Sequence, residues 1–447
     1  MYNTINQYWN NSESSLLRAE IAYGVPLYIY LPLLLTVLTA VFTGDLPDDM
    51  VGATAFLLVI SGITVFIGDR VPVWRTWFGG GLVLCLVLGL LINYFSLIPA
   101  ESYQTIEGFL QDSSNMLDWF IAALITGSIL SMPRSYLVKA LPIYAPAVVG
   151  GLVVAALTAY VSGAILGYGG LDALLTILIP VFGGGMGAGG IPLSEIYASE
   201  TGTSFEQMFS IIAPVIILGN MAGILFAAIA NRIGKVRPSL SGDGVVMPEE
   251  KWMPESGSET EDSGVELTED TIVTGWMIAM GLLILGYLFA NIIPIHPFAI
   301  MILLAVGIKV SQVFPDRLED GAGHFYDFMV AGFVGPLLLA IGMALIDIDV
   351  LIEMITPTYF AIVILVVIGG AVGAALVGYL FGMFPIEAAL CGGLCMVNMG
   401  GSGDVATLAA AERMELMAFA QMSSRLGGAL MLLIGQVAVT MWGSILL

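Results

Sequence analysis

Charged residues are scarce in this 447-residue sequence. Only 11% of the residues are Asp, Glu, Lys or Arg, and 58% are hydrophobic, whereas about 25% charged residues is usual in soluble domains. Thirteen Lys and Arg are not gathered with aromatic residues into a basic patch, so nothing indicates a nucleic-acid partner. This composition excludes a soluble globular protein and predicts a polytopic protein of the lipid bilayer.

Cysteine is also rare. The three cysteines, Cys85, Cys391 and Cys395, lie in apolar runs, which excludes a disulfide framework. Cys391 and Cys395 are four residues apart, but no His or further Cys lies near them. Helix packing by small side chains is therefore the better interpretation than a metal site.

Motifs of soluble nucleotide enzymes and motors are missing as well. No G-x-x-x-x-G-K-[ST] is present, which excludes an ATP-driven motor of that type. Gly185, Gly187 and Gly190 match G-x-G-x-x-G, but the dinucleotide fingerprint needs a preceding strand in a βαβ unit. The match lies in a membrane segment and therefore does not indicate a dinucleotide site. A membrane-embedded enzyme would need a nucleophile–base pair or a metal cluster, and the sequence offers neither.

Two glycine-rich stretches stand out, one in each half of the chain. Residues 183–194 read GGGMGAGGIPLS and residues 398–406 read NMGGSGDVA. Backbone that leaves the helix at membrane depth is tolerated only inside protein or along a wet cavity, and paired interruptions in two halves indicate a transporter's binding site. We therefore predict two re-entrant hairpins, at about 171–193 and 386–412, whose tips meet. The alternative is that these glycines only allow close helix packing, as Gly369 and Gly373 do.

The remaining apolar segments predict about eleven membrane spans, since each approaches the length that crosses about 30 Å of hydrocarbon. The fold class is thus an all-α polytopic membrane protein with about eleven transmembrane helices and two re-entrant hairpins. The predicted spans are 22–43, 51–67, 79–98, 117–132, 144–167, 205–230, 272–293, 297–314, 323–345, 358–381 and 416–445.

The positions of Lys and Arg predict the orientation. With the N-terminus in the cytoplasm, twelve of the thirteen, including Lys309 and Arg413, fall in cytoplasmic segments or span ends. Outer loops such as 99–116 and 194–204 then carry no Lys or Arg, and the C-terminus lies outside. The two hairpins enter from opposite sides, which makes two inverted five-helix repeats after one extra N-terminal helix, an architecture of secondary transporters.

An acidic stretch separates the two halves. Ten Asp or Glu and one Lys lie between Pro238 and Asp270, which indicates a solvated, disordered spacer. The predicted parts of the chain are 1–143 (lead, extra helix and scaffold helices of the first repeat), 144–230 (transport part with the first hairpin), 231–270 (acidic cytoplasmic linker), 271–352 (scaffold helices of the second repeat) and 353–447 (transport part with the second hairpin).

Arg425 is the thirteenth basic residue and lies inside the last span. A charge at this depth costs at least about 2.5–3.5 kcal/mol on insertion scales, so it is normally paired and functional. The planar guanidinium suits a carboxylate substrate because it donates two parallel hydrogen bonds. A structural ion pair with Asp404 or Glu387 is the alternative. Ser402, Ser424 and Asn398 add polar oxygens at the same level.

These residues resemble the 2-hydroxycarboxylate transporter family, the sodium or proton symporters for citrate, malate and lactate of bacteria and archaea. The resemblance rests on GGGMGAG with Pro192-Leu193-Ser194, on residues 398–406, on Arg413-Met414 and on residues 419–428. It implies a homodimer in which spans 144–167, 205–230, 358–381 and 416–445 move with both hairpins as an elevator. It also implies a multi-pass protein of a prokaryotic plasma membrane.

The resemblance further implies which residues bind the two solutes. The substrate-binding positions are Arg425 for the carboxylate, with Ser402, Gly187, Met186, Met399 and Gly401 at the hairpin tips. The Na⁺ positions are Asn398, Ser402 and Ser424 with backbone carbonyls near Val181, Gly184, Cys395 and Met396.

Two positions depart from the citrate-specific members, which carry Asn in place of Met186 and a second Arg in place of Met399. With one intramembrane Arg, a tricarboxylate is harder to neutralise, so malate is favoured over citrate. No carboxylate or His is clearly placed for a proton relay, which favours Na⁺ as the coupling ion. An H⁺-coupled or exchange carrier for the same acids, or an organic-anion channel with glycine-rich filter loops, remains the alternative.

Overall fold

The computed structural model describes residues 20–72, 74, 80–111, 115–132, 134, 141–247, 268–293, 295–344, 346, 356–398 and 401–446. Two short strands, β1 (Glu20–Ala22) and β2 (Val25–Pro26), pair antiparallel, and the other elements in this part of the chain are helices. The α-helices are α1 (Leu27–Thr43), α2 (Met50–Arg70), α3 (Gly80–Tyr94), α4 (Ala100–Gln111), α5 (Met116–Leu130), α6 (Leu141–Ile165), α7 (Gly170–Ala173), α8 (Ile179–Val181), α9 (Ile191–Thr201), α10 (Phe205–Val236), α11 (Glu269–Ala290), α12 (Pro297–Ser311), α13 (Asp316–Ala344), α14 (Pro357–Leu380), α15 (Pro385–Ala389), α16 (Gly401–Ala410), α17 (Met417–Met422) and α18 (Gly428–Trp442).

Shorter helical segments of other types interrupt or extend these α-helices. Four are 3₁₀-helices: Pro238–Leu240, Cys395–Val397, Met414–Leu416 and Gly443–Ile445. Four are π-helical segments of five residues each: Leu174–Leu178, Met186–Gly190, Leu390–Leu394 and Ser423–Gly427.

Seven of the described helices are long and apolar enough to cross a membrane, which confirms the class of polytopic helical membrane protein. These are α2, α6, α10, α11, α13, α14 and the continuous segment Phe419–Ile445. Four other predicted spans coincide with the shorter apolar helices α1, α3, α5 and α12. All eleven predicted spans are therefore helical, while the number that crosses the bilayer stays a prediction.

Three segment boundaries differ from the prediction. The first span begins at Leu27 rather than residue 22, because β1 and β2 form a hairpin around Tyr23 and Gly24, both with positive φ. The predicted loop 99–116 contains the amphipathic helix α4. The predicted loop 194–204 is mostly helix, since α9 continues until Gly202 ends it in the left-handed conformation typical of a helix C-terminus.

The chain forms two compact units. Within the described part of the chain, the first comprises residues 20–72, 74, 80–111, 115 and 335–344. Its helices approach closely at glycines: a Cβ added to Gly81 would lie 2.3 Å from the Cα of Val65 in α2, and one added to Gly89 would lie 2.3 Å from the carbonyl oxygen of Leu339. Backbone contact of this kind is how membrane helices gain packing without a hydrophobic driving force.

The second unit contains the remaining helices. Here α5 is buried except at Asp118 and Trp119, which are partly exposed. Helix α6 packs against α14 so closely that a Cβ on Gly373 would lie 2.5 Å from the carbonyl oxygen of Gly150. A Cβ on Gly369 would likewise lie 2.5 Å from the hydroxyl of Thr158. The packing role predicted for Gly369 and Gly373 is confirmed. The predicted division into scaffold and transport parts concerns movement and stays a prediction.

The beginning of the acidic linker is folded, which corrects the prediction of a solvated spacer for residues 238–247. Val246 is fully buried, and its carbonyl accepts a hydrogen bond of 2.8 Å from the backbone N–H of Phe384, just before α15. The carboxylate of Glu387 accepts hydrogen bonds from the N–H of Gly242 (2.9 Å) and the hydroxyl of Ser241 (2.9 Å). Residues 248–267 lie outside the described part of the chain.

Two basic residues that the topology prediction placed in cytoplasmic segments or span ends are buried. Lys309 is 5% exposed and pairs with Glu319 at 2.5 Å. Arg413 is also 5% exposed, and its guanidinium lies 3.1 Å from Asp243 and 3.5 Å from Glu387. Both charges are buried because a carboxylate partner compensates them.

Candidate functional site

The first glycine-rich stretch makes a sharp turn after α8. Gly184 and Gly185 have φ values of +90° and +92°, a conformation that favours glycine. A Cβ on Gly184 would lie 2.8 Å from the carbonyl oxygen of Ser424 and 3.1 Å from the Cα of Gly428. The turn therefore needs glycine both for its backbone conformation and for its contact with the last helix.

That contact falls on the π-helical segment Ser423–Gly427, which separates α17 from α18. Such insertions occur frequently at functional sites, since they disturb the regular i→i−4 hydrogen bonds. The hydroxyl of Tyr144 lies 2.7 Å from that of Ser423, and the side chain of Met396 packs against Gly427. Helix α6 and both glycine-rich elements thus meet at this one segment.

Asp404, near the start of α16, is fully buried beside the second turn. One carboxylate oxygen accepts a hydrogen bond of 2.9 Å from the side-chain amide of Asn398, and the other accepts one of 2.9 Å from the hydroxyl of Ser424. Within the described residues no Lys or Arg lies within 4 Å of this carboxylate. Both hydrogen-bond donors described at this carboxylate are therefore neutral, an arrangement that suits a cation ligand.

Arg425 contacts α13 and the residue that follows α5. Its Nη1 donates a hydrogen bond of 3.3 Å to the hydroxyl of Ser131, and its guanidinium carbon lies 5.4 Å from the ring centre of Tyr326. The suggested ion pairs do not form among the described residues: Glu387 pairs with Arg413, and Asp404 is held by neutral groups. The guanidinium is therefore not neutralised by a described carboxylate within 4 Å.

Two glycines allow the close helix packing beside Arg425. A Cβ on Gly127 of α5 would lie 2.2 Å from the Cβ of Tyr326, and one on Gly323 of α13 would lie 2.8 Å from the Cβ of Ser131. The close approach of α5 and α13 places the Ser131 hydroxyl and the Tyr326 ring side by side. Aromatic faces attract guanidinium groups, so both neighbours orient Arg425 without neutralising it.

The structure brings about half of the predicted site residues together. Gly184, Met396, Asn398, Ser424 and Arg425 gather at the segment Ser423–Gly427, as described above. The hypothetical Cβ of Gly219 in α10 would lie 2.4 Å from the side chain of Val181 and 3.3 Å from the carbonyl oxygen of Val397, so α10 touches both turns.

The other predicted residues have different neighbours or lie outside the described residues. A Cβ on Gly187 would meet Leu124 and Phe120 of α5 at 3.5–3.8 Å, and Met186 is buried. Cys395 is fully buried in the 3₁₀-helix that precedes the second turn. Gly401 begins α16. Met399 and the side chain of Ser402 lie outside the described residues.

Three neighbours were missed at the sequence level. Ser131, which follows α5, and Tyr326 of α13 are far from the glycine-rich stretches in sequence, and nothing in their local pattern predicts contact with Arg425. Asp404 was not predicted as an ion ligand, although a lone carboxylate in a membrane hairpin is itself an indication of function.

Groups that would hold a transition metal are not found in the described residues, where no three His, Cys, Asp or Glu side chains come together. The oxygens around Ser424 are of a different kind: a carboxylate, an amide, a hydroxyl and backbone carbonyls. Such ligands suit hard alkali or alkaline-earth cations rather than zinc or copper.

Two helices interrupted at matched glycine-rich turns, with Arg425 and Asp404 beside them, are typical of a membrane transporter. Comparison with known proteins agrees. The model of the 2-hydroxycarboxylate transporter family matches residues 22–437, and the chain belongs to this family. It is a membrane transporter and not an enzyme.

Several characterised relatives cover nearly the whole chain. A citrate/sodium symporter of Klebsiella pneumoniae is 35% identical over 426 residues, with 94% of each chain covered. A citrate/sodium symporter of Salmonella typhimurium is 34% identical over 435 residues, covering 96% of each chain. The malate transporter MleP of Lactococcus lactis is 32% identical over 419 residues, covering 93% of this chain and 96% of the relative.

Proposed function

We propose that this protein is a secondary symporter that couples inward Na⁺ flux to the uptake of a 2-hydroxycarboxylate. The relatives named for sodium symport and for citrate or malate transport support both parts of this proposal. The observation that carries it is the segment Ser423–Gly427, which joins a guanidinium on one side to a buried carboxylate on the other.

Arg425 binds the substrate carboxylate. Its one described hydrogen bond uses Nη1 and a neutral hydroxyl, so the remaining donors of the guanidinium can pair with an incoming carboxylate in the bidentate geometry that Arg favours. The free energy gained when a substrate carboxylate binds Arg425 should exceed that of a surface ion pair. The guanidinium is half-buried and has no competing carboxylate within 4 Å in the described part of the chain.

Na⁺ binds on the opposite side of the same segment. Asp404 supplies the negative charge, and Asn398, Ser402 and Ser424 supply side-chain oxygens, together with the carbonyls near Val181, Gly184, Cys395 and Met396. Ser424 and Arg425 are adjacent in sequence, so an ion that orders Ser424 also orders the substrate residue. This reciprocity is the coupling that a symporter requires.

Malate is the favoured substrate. Met186 is buried and apolar, and Arg425 is the only Arg after Arg413 in the sequence. One guanidinium balances one carboxylate, and the second carboxylate of a dicarboxylic acid can be met by the N–H groups of a helix start, whereas a third would be left uncompensated.

The two interrupted elements support the inverted-repeat architecture. In each, a short α-helix leads into a five-residue π-helical segment, a further turn of helix and then a glycine-rich turn: α7, Leu174–Leu178 and α8 in the first, and α15, Leu390–Leu394 and Cys395–Val397 in the second. We infer that both are re-entrant hairpins and that they move as an elevator in a homodimer of the prokaryotic plasma membrane, with the N-terminus in the cytoplasm.

A proton-coupled carrier is the second candidate, and Asp404 is the observation that favours it. A buried carboxylate held only by neutral donors can accept a proton as well as attract Na⁺. The two candidates use the same residue and differ in the ion that neutralises it.

Uptake into proteoliposomes tests the proposal. Labelled malate is supplied under an inward Na⁺ gradient and, separately, under an inward H⁺ gradient, with citrate and lactate as competitors. We expect saturable uptake driven by Na⁺ and inhibited mainly by dicarboxylates. Uptake driven by the H⁺ gradient alone supports the second candidate, and non-saturable flux without either gradient contradicts both and indicates a channel.

A further inference from the structure

An apolar cavity opens on the surface of the second unit between α10 and α14. Its volume is about 210 Å³, and its walls are side chains such as Leu218, Met221, Leu225 and Phe226 of α10 and Phe360 and Val363 of α14. An apolar cavity of about 150 Å³ is enough to hold a benzene molecule, so this one accommodates several methylene groups.

The cavity continues along one face of α10 toward the end of that helix. At about 100° per residue, Leu218, Leu225, Ile229 and Val236 fall within about 20° of a single line. The last three are 45%, 43% and 74% exposed. An apolar stripe of this kind extends from the cavity to the final turn of α10.

Two arginines border the end of the stripe. A second depression, of about 410 Å³, is lined by Arg232, Ile233, Val236 and Arg237. Both arginines are exposed, and neither pairs within 4 Å with a carboxylate in the described part of the chain, whereas their neighbour Lys235 pairs with Glu412 at 2.6 Å. The groove is therefore apolar at its inner end and basic at its outer end.

The dimensions fit a lipid molecule in a bilayer. Helix α10 has 32 residues and is about 48 Å long at 1.5 Å per residue, so it exceeds a hydrocarbon core of about 30 Å. The middle of the cavity-lining stretch lies about twelve residues before the arginines, which corresponds to roughly 18 Å along the helix axis. This is about half the thickness of a bilayer with its headgroups, the depth that one lipid leaflet occupies.

We propose that this groove, formed by the cavity between α10 and α14 and by Arg232 and Arg237, binds one anionic phospholipid. The acyl chain fills the cavity and follows the apolar stripe, and the headgroup phosphate lies between the two guanidinium groups. Charge complementarity selects the anionic lipid, because each Lys or Arg near a membrane surface attracts anionic headgroups and Arg binds phosphate oxygens in pairs.

Lipid retention in native mass spectra tests this proposal on the full-length protein. The purified protein is equilibrated with phosphatidylglycerol or phosphatidylcholine in matched detergent. We expect the wild type to retain phosphatidylglycerol in preference to phosphatidylcholine. In the double variant Arg232→Gln/Arg237→Gln, the ratio of retained phosphatidylglycerol to retained phosphatidylcholine should fall roughly tenfold, because two interfacial cations are removed. Arg317→Gln, which removes another exposed arginine outside the groove, leaves the preference unchanged.

A second variant tests the cavity. Ala222→Leu places a larger side chain in the cavity wall and lowers retention of phosphatidylglycerol, whereas Gly281→Leu on α11, where a Cβ meets nothing within 4 Å, has no effect. A phosphatidylglycerol with a photoreactive acyl chain should label peptides from α10 or α14.

Three results would overturn the proposal. They are equal retention of the two lipids by the wild type, unchanged preference in the double arginine variant, and equal thermal stabilisation by inorganic phosphate and by phosphatidylglycerol. Equal stabilisation by phosphate and by phosphatidylglycerol would show that the arginines bind a free anion. If the variants keep the lipid but no longer dimerise, the groove is instead a contact with a second copy of the chain.

Discussion

At the scale of single residues, the proposed site uses two charged side chains that form no ion pair with each other within 4 Å. Arg425 belongs to the segment Ser423–Gly427, and Asp404 accepts a hydrogen bond from the hydroxyl of Ser424 in the same segment. In the proposed mechanism, this arrangement leaves one positive and one negative charge for solutes of opposite sign.

Replacement of Arg425 by Lys should abolish most transport. Lysine keeps the charge but not the planar fork, and loss of a charge-assisted hydrogen bond costs about 1.5–3 kcal/mol, so we expect kcat/KM for malate uptake to fall at least about tenfold. The measurement is initial uptake into proteoliposomes, normalised to the amount of protein inserted.

The exposed Arg317 provides the control, since Arg317→Lys should transport like the wild type. Normal uptake by Arg425→Lys would exclude this residue as the carboxylate ligand. Failure of the Arg425 variant to insert stably, as measured by its yield and unfolding temperature, would assign the arginine to the structure instead.

Asp404→Asn should separate the ion from the substrate. The variant preserves the shape and removes the negative charge, so we expect the Na⁺ concentration for half-maximal uptake to rise by at least tenfold, with a smaller change in the affinity for malate measured at saturating Na⁺. Asp316→Asn at the exposed start of α13 serves as the control. An unchanged Na⁺ dependence would show that Asp404 does not contribute to the ion site.

At the scale of elements, the glycine-rich turns were predictable and their surroundings were not. Five glycines in seven positions before Pro192 indicate a turn from composition alone. The π-helical segment Ser423–Gly427, by contrast, has no sequence pattern of its own. Its partners Gly184, Met396 and Tyr144 come from three distant parts of the chain, so only tertiary packing shows that the turns meet there.

The same limit applies to charge. Burial of Arg413 and Lys309 depends on carboxylates supplied by residues 243, 387 and 319, and a count of basic residues along the sequence treats every Lys and Arg as solvated. Helix α4 was missed for a related reason: its polar, amphipathic sequence lacks the long apolar run by which the spans were recognised.

The first turn offers a test that separates backbone strain from contact. Gly184→Ala and Gly202→Ala both place a Cβ on a residue with positive φ (+90° and +71°), but only the Cβ at position 184 would meet a neighbour, the carbonyl oxygen of Ser424. We expect the first variant to lose transport by at least tenfold and the second to lose only stability, about 1–2 kcal/mol for a left-handed residue.

Uptake and unfolding temperature, measured together, distinguish these outcomes. If the two variants transport equally well after correction for the amount of folded protein, the contact between the first turn and the last helix is not part of the mechanism.

At the scale of the whole molecule, the two halves of the chain are joined by more than a covalent connection. Glu387 of α15 receives three hydrogen bonds from residues 241–244, at 2.9, 2.9 and 3.3 Å, and lies 3.5 Å from Arg413. The start of the linker is thereby fixed to the second glycine-rich element, which carries the proposed ion site.

Removal of this buried carboxylate should loosen that attachment. Glu387→Gln takes away the charge opposite Arg413 and one acceptor for the linker N–H groups, and an unsatisfied buried group costs about 1–3 kcal/mol. We expect a lower unfolding temperature and faster proteolysis near residues 238–247. The control is Glu412→Gln, which breaks an ion pair with Lys235 whose side chains are 62% and 56% exposed and should change neither.

The attachment of residues 241–246 also limits how far the rest of the linker can reach. Between Met247, the last described residue of the attached segment, and Thr268, which caps α11, lie the 20 residues 248–267. An extended chain spans at most about 3.3–3.6 Å per residue, so this connection reaches roughly 70 Å, whereas a linker that was free from Val236 onward would reach about 105 Å. If α15 moves as part of an elevator while α11 stays with the scaffold, the length of residues 248–267 limits the distance that α15 can move. Each residue deleted within 248–267 shortens this distance by about 3.3–3.6 Å, so a sufficiently long deletion should stop transport.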